Sequence, residues 1–136
     1  MLSLPSLAQR TRAGARFLDE RISNWHRRID SEKLAVEDGG MCILGQLTGT
    51  FTSGLIHLTK GIVHATELGF YAHGRDQKRQ QTHYLILTME WRERIAERLR
   101  EDNVRMIARM QVKTKRKRFA AIITSAAVSI LCILCI

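Results

Sequence analysis

Cys42 and five histidines, His26, His57, His64, His73 and His83, are the side chains in this chain suited to nucleophilic or metal chemistry. A thiol becomes a working nucleophile when an imidazole lies beside it to take its proton. The spacing of these residues matches no nucleophile signature, and Cys42 reads better as a structural thiol at the start of an apolar element. His57 and His64 stand seven positions apart, which on a single helix would put both rings on one face. Gly61 falls between them, and no carboxylate completes a metal set. Cys132 and Cys135 have the spacing of half a metal site, but they lie in an apolar run without further ligands and read as apolar filler. The glycines at 39, 40, 45, 49, 54 and 61 form neither a dinucleotide fingerprint nor a phosphate loop, because no Gly-Lys-Ser/Thr follows them. No paired carboxylates sit in an apolar setting. The sequence therefore predicts no catalytic residue, metal or cofactor, and the chain is expected not to be an enzyme.

Charge is the stronger signal. The formal net charge is +9, and more than half of it comes from Lys113, Lys115, Arg116, Lys117 and Arg118, which no acid interrupts. A nucleic-acid binder spreads its charge along a groove or helix face, whereas a membrane protein places it just beyond the bilayer. Here the cluster abuts Phe119–Ile136, eighteen residues without charge, proline or glycine. As a helix that run is about 27 Å long, against a hydrocarbon core of about 30 Å. The sequence reading is thus a single C-terminal transmembrane helix at 119–136. The five basic residues are expected to contact lipid headgroups and to hold the N-terminal domain on the cytoplasmic side. Ala121, Ser125 and Ser129 recur at four-residue steps and offer a close-approach face for a homo-oligomer. The competing reading is a buried C-terminal helix, chiefly as an oligomer core; Thr124, Ser125 and Ser129 are too few to give that helix a polar face.

Three cysteines, two of them in the tail, do not make a disulfide framework, and a lone thiol in the remainder fits a reducing compartment. The N-terminus lacks a basic start followed by an apolar run, so no secretory signal is read there. Arg10, Arg12 and Arg16 suggest a transit peptide only until Asp19 and Glu20 follow.

The elements expected to position these residues are mainly α-helical. Ser3 is placed as the cap of a first helix with Pro5 near its first turn, and Leu7, Phe17, Leu18, Ile22 and Trp25 supply its apolar stripe. Gly14 within it costs about 1 kcal/mol relative to alanine. Residues 29–40 read as a turn or short helix ending in Gly-Gly. Residues 41–58 carry no formal charge, and their polar content favours a buried core element over a membrane span. Residues 62–73 read as a helix ended by Gly69. From Thr82 the pattern is a clear helix, with Leu87, Trp91, Ile95 and Leu99 on one face and the pairs Glu90–Arg94 and Glu101–Arg105 in support. The expected architecture is a small helical domain over 1–80, a long amphipathic helix over 81–112 packed on it, the basic cluster 113–118, and the anchor 119–136.

Several short motifs recur in a recognisable order: Leu18-Asp19, then Trp25 and Ile29-Asp30, then Cys42-x-Leu44-Gly45-Gln46. Phe51-x-x-Gly54-Leu55, Leu68-Gly69-Phe70 and Leu87-Thr88-x-x-Trp91 follow. In this order the chain resembles small uncharacterised proteins encoded by bacteriophages of actinobacteria, over about residues 13–100. The resemblance implies a compact accessory domain and brings no catalytic residues with it. The basic cluster and apolar tail depart from that pattern.

The leading expectation is a non-enzymatic, membrane-anchored accessory or interaction protein, phage-encoded and lodged in the host inner membrane if the resemblance holds, with the bilayer and a protein of unknown identity as partners. The alternative is a nucleic-acid-binding regulator. Nucleic acid is the less favoured partner because arginines on the closing helix alternate with glutamates.

Overall fold

The computed structural model describes residues 5–134, in which helices are joined by turns with no strand among the described residues. Helix α1 runs Leu7–Arg21. Its cap is Ser6: the Ser6 hydroxyl accepts from the Gln9 N–H at 3.2 Å, and the Gln9 side chain accepts from the Ser6 N–H at 2.8 Å. This reciprocal pair satisfies two donors that a helix start leaves open. Ser3, the expected cap, lies outside the described residues.

After α1, Asn24 takes a left-handed conformation and a 3-10 turn, Trp25–Arg28, follows. Residues 29–41 form turns without a helix, shaped by Asp38, whose carboxylate accepts from the N–H groups of Gly40 and Met41. The uncharged stretch 41–58 divides at Gly49 (φ 96°) into α2, Ile43–Thr48, and α3, Phe51–His57. Positive φ is open to glycine at no steric penalty, so the chain reverses there, and α2 buries Ile43, Leu44 and Leu47. Helix α4 is Ile62–Glu67, and α5 runs Gln77–Leu134, 58 residues.

The chain divides into two compact units, the first running to Leu99 and the second beginning at Arg100. In the first, Leu87, Trp91 and Ile95 from α5 are buried among Leu18, Trp25, Leu34, Ile43, Leu44 and Phe70. Leu99, the fourth member of the expected stripe, is 40 % exposed, because the core ends there. The described residues of the second unit are all helix.

The transmembrane reading of 119–136 is overturned. Among the described residues no helix is long and apolar enough to cross a membrane. Five of the six residues before Phe119 are basic, and among the described residues the uncharged part of α5, 119–134, is about 24 Å long, against a core about 30 Å thick. Cys135 and Ile136, which the expected span included, lie outside the described residues. The single-pass placement with a cytoplasmic domain falls with the span, as does the fold description in which a helical domain feeds a membrane helix. Lys113, Lys115, Arg116, Lys117 and Arg118, the residues expected to meet lipid headgroups, are exposed along α5.

Candidate functional site

The residues singled out for chemistry are dispersed. Cys42 is 1 % exposed and caps α2, its Sγ accepting from the Gly45 N–H at 3.2 Å. Burial pushes its thiol above the ordinary range, outweighing the backbone N–H groups that work the other way. A thiol held in its protonated form is a poor nucleophile. His57 ends α3 while His64 lies in α4, so they do not share one helix face. His64 accepts through Nδ1 from the Lys60 N–H at 3.1 Å and meets the Phe17 ring edge-on at 5.3 Å. His26 is buried in the 3-10 turn, edge-on to Trp25. His73 is exposed and His83 half-buried. Among the described residues no group of three or more His, Cys, Asp and Glu side chains could hold a metal ion. Cys135 lies outside those residues, so the Cys-x-x-Cys pair is not seen as a pair.

The recurring motifs build the scaffold instead. Trp91 stacks on Phe70 with ring centroids 5.1 Å apart and meets Trp25 edge-on at 5.9 Å. Its indole N–H donates to the Gly69 carbonyl at 2.7 Å. Gly69 has φ 71° and would crowd Thr11 at 3.0 Å if it carried a Cβ, which is why Leu-Gly-Phe needs glycine in the middle. Trp25 donates through its indole N–H to Asp19 at 2.8 Å, and Arg98 grips the same carboxylate through Nε and a terminal nitrogen, the shortest bond being 2.7 Å. Partial burial works to raise the Asp19 pKa, but the Arg98 and Trp25 hydrogen bonds and the Arg98 charge prevail and hold it below the usual carboxylate range. Gln46 clamps two turns: its carbonyl accepts from the Asp30 N–H, and its amide donates to the Asp30 and Met41 carbonyls. Thr88 accepts from the Val36 N–H at 3.1 Å.

The arginines of α5 fall into two groups. Arg92 donates to the carbonyls of Ser31, Glu32 and Leu34 and so pins that loop. Arg94 is buried and paired with Glu97 at 2.9 Å and Glu90 at 3.9 Å, and Arg98 holds Asp19. These cations are committed to the fold. Beyond them Asp102 is the last acidic residue in the sequence, and Arg105, Arg109, Lys113, Lys115, Arg116, Lys117 and Arg118 follow with no acid among them. Every residue from Asn103 to Cys132 is exposed. At 3.6 residues per turn, Arg105, Arg109, Lys113, Arg116 and Lys117 share about one third of the helix circumference. Arg105 retains only a 3.9 Å exposed contact with Glu101.

Two surfaces stand out among the described residues. One is an open, mostly apolar groove of about 560 Å³ on the first unit, between Pro5, Arg10, Ile62, Val63, Tyr71 and His73. No sequence pattern marked it, since its walls come from separate elements. The other is the second unit, with its basic stripe followed by exposed Phe119, Ile122, Ile123, Val128, Ile130 and Leu131. The sequence did signal this one: acids stop at Asp102, eleven positions before the cluster itself begins at Lys113. Comparison with protein-family models, with curated proteins and with solved structures finds no match.

Proposed function

We propose that this chain is a non-enzymatic interaction protein whose working surface is the second unit, and that a second copy of the chain covers its apolar part. The observation behind this reading is the unbroken exposure of Asn103–Cys132 in a segment rich in large apolar side chains. An α-helix apolar on all sides is normally one that other helices bury, and in proteins most helical stability comes from packing an apolar face.

Phe119, Ile122, Ile123, Val128, Ile130 and Leu131 are 54–67 % exposed. Full burial of such a side chain is worth about 1.5–3 kcal/mol. Covering half of what these six expose returns roughly 4 kcal/mol per chain, or about 8 kcal/mol per pair, within the range of about 4–15 kcal/mol that association opposes. The resulting pairing is modest and concentration-dependent. A second copy supplies the same apolar set in a self-complementary interface, and Ala121, Ser125 and Ser129 let the two backbones approach. The accessory role implied by the resemblance to phage-encoded proteins is compatible with this reading, since the motifs carrying that resemblance lie in the first unit.

Sedimentation of the full chain tests the proposal. The mass is expected to rise with concentration from the chain mass of 15.6 kDa toward twice that value, and Ile130→Asp is expected to hold it at the monomer. A wild-type chain that stays monomeric across the dilution series refutes the pairing.

A further inference from the structure

We infer that residues 103–118 of α5 form a binding element for double-stranded nucleic acid. The partner and the two-fold arrangement deepen the interaction reading above and rest on it; the phosphate contacts themselves do not.

The first ground is charge that the fold leaves unspent. Residues 103–118 carry seven Lys/Arg and no Asp/Glu, within a chain of net charge +9. The alternation of arginine with glutamate, which disfavours nucleic acid at the level of sequence, belongs to the helix before Asn103. There Arg92, Arg94 and Arg98 hold loops and carboxylates in place. After Asp102 no acid follows in the sequence, the basic side chains through Arg118 are all exposed, and of the stripe Arg105 makes an exposed 3.9 Å contact with Glu101.

The second ground is geometry. The stripe Arg105, Arg109, Lys113, Arg116 and Lys117 spans about 18 Å of helix axis. A duplex presents one phosphate charge per about 1.7 Å of its axis, so each cation of the stripe has a phosphate within reach. An α-helix with side chains is about 10–12 Å across, and the major groove of a duplex is about 12 Å wide. No acid lies on the segment to repel the backbone.

The third ground is order along the chain. In α5 a basic segment leads directly, without a break, into the apolar segment that pairs two copies. Two continuous helices joined at their apolar ends place their basic segments so that they fork across a duplex. In a parallel pair the two basic segments also repel each other, and phosphates relieve that repulsion, so duplex binding and pairing reinforce one another. Contacts of this kind are to phosphate and carry no sequence information. The element is therefore an affinity element with a steep salt dependence and weak base preference.

The test uses the full chain, fluorescence anisotropy with a labelled duplex of about 30 base pairs, and sedimentation of the same samples over about 50–400 mM salt. Five phosphate contacts per chain give an expected slope of log K against log salt of about −4.5 for one bound chain and about −9 for a bound pair, since each contact contributes about −0.9. The triple variant Lys113→Gln, Arg116→Gln, Lys117→Gln removes three of the five in each chain. Its slope is expected near −2 per bound chain, with affinity lower by at least roughly 100-fold at about 100 mM salt. These positions are exposed and outside the core, so the tryptophan fluorescence melt of the first unit is expected to be unchanged. The inference is overturned if the wild type leaves the duplex free at the lowest salt, or if the triple variant binds with an unaltered slope. It is equally overturned if the chain ignores the duplex and is retained instead by vesicles of phosphatidylserine. The two readings fail separately: a monomeric chain that binds with the expected slope contradicts the pairing alone, and a dimer that ignores duplex contradicts the nucleic-acid element alone.

Discussion

Replacing Gly14 with alanine separates helix propensity from tertiary packing, because the two give opposite signs. Gly14 lies in the middle of α1. On propensity alone, Gly14→Ala should stabilise the helix by about 1 kcal/mol. The structure gives the reverse. A Cβ at this position would meet the Leu68 carbonyl oxygen and lie 2.8 Å from two carbons of the Trp91 ring. Neither obstacle can yield cheaply. The carbonyl is backbone at the end of α4, and the Trp91 ring is 0 % exposed, stacked on Phe70 and tethered by its indole N–H to Gly69. Overpacking of a filled core typically costs about 1–3 kcal/mol, with more where backbone must shift. With backbone and a locked ring in the way the cost here is about 2–4 kcal/mol, and after the propensity gain of about 1 kcal/mol the expected net loss is about 1–3 kcal/mol. For a folding unit of about 100 residues, each kcal/mol moves the melting temperature by roughly 4–8 °C, so a fall of roughly 5–20 °C is expected. The assay is a thermal melt followed by tryptophan fluorescence, since Trp25 and Trp91 both report on the first unit. A variant melting at or above the wild-type temperature refutes the claim that α1, α4 and α5 close on one another at Gly14.

Two further outcomes concern titration. Asp19 has a depressed carboxyl pKa in the folded chain, so its contribution to stability is present above the unfolded value, about 3.9, and is lost as pH falls through the lower folded value. Asp19→Asn is expected to destabilise near neutral pH, with the gap to wild type closing in acid; a constant gap throughout a chemical-denaturation series would contradict the Arg98 and Trp25 contacts. Tyr84 is pushed up to about 12 by burial and by its neighbour Tyr71. Its raised value favours folding below the unfolded pKa of about 10 and loses that contribution as pH rises through about 12. The tyrosinate absorbance of the wild type is expected to show a late step near 12 that Tyr84→Phe removes, and persistence of that step in the variant would refute the assignment.

Much of the first unit is legible in the sequence, for a physical reason. Leu87, Trp91 and Ile95 recur at helical spacing and are buried together, because a helix against a core must show that period. The Glu90–Arg94 and Glu101–Arg105 pairs are also present, at 3.9 Å each. What the sequence hides is long-range. Nothing local indicates that the Trp91 indole will bond a carbonyl 22 residues away, or that Arg92 and Arg98 will reach back 58 and 79 positions to hold a loop and a carboxylate. Read locally, these arginines belong to a solvated helix face. The cap moved from Ser3 to Ser6 because the Gln9 side chain completes a reciprocal pair there. The membrane reading of 119–136 is overturned by what adjoins the apolar run: five of the six residues before Phe119 are basic, and among the described residues no helix is long and apolar enough to cross a membrane. At the candidate site, the cluster at 113–118 was plain. Its extension back to Arg105 became clear only once Arg92, Arg94 and Arg98 were seen to be committed to the fold.

The central claim is that the second unit is the working surface and is completed by another copy of the chain. A dilution series of the full chain by sedimentation, with Ile130→Asp alongside, tests it most directly. The predicted result is a wild-type mass that climbs with concentration from 15.6 kDa and climbs further as added salt screens the basic stripe, with the variant remaining at the monomer mass. A wild type and variant that sediment identically at every concentration and salt would contradict it.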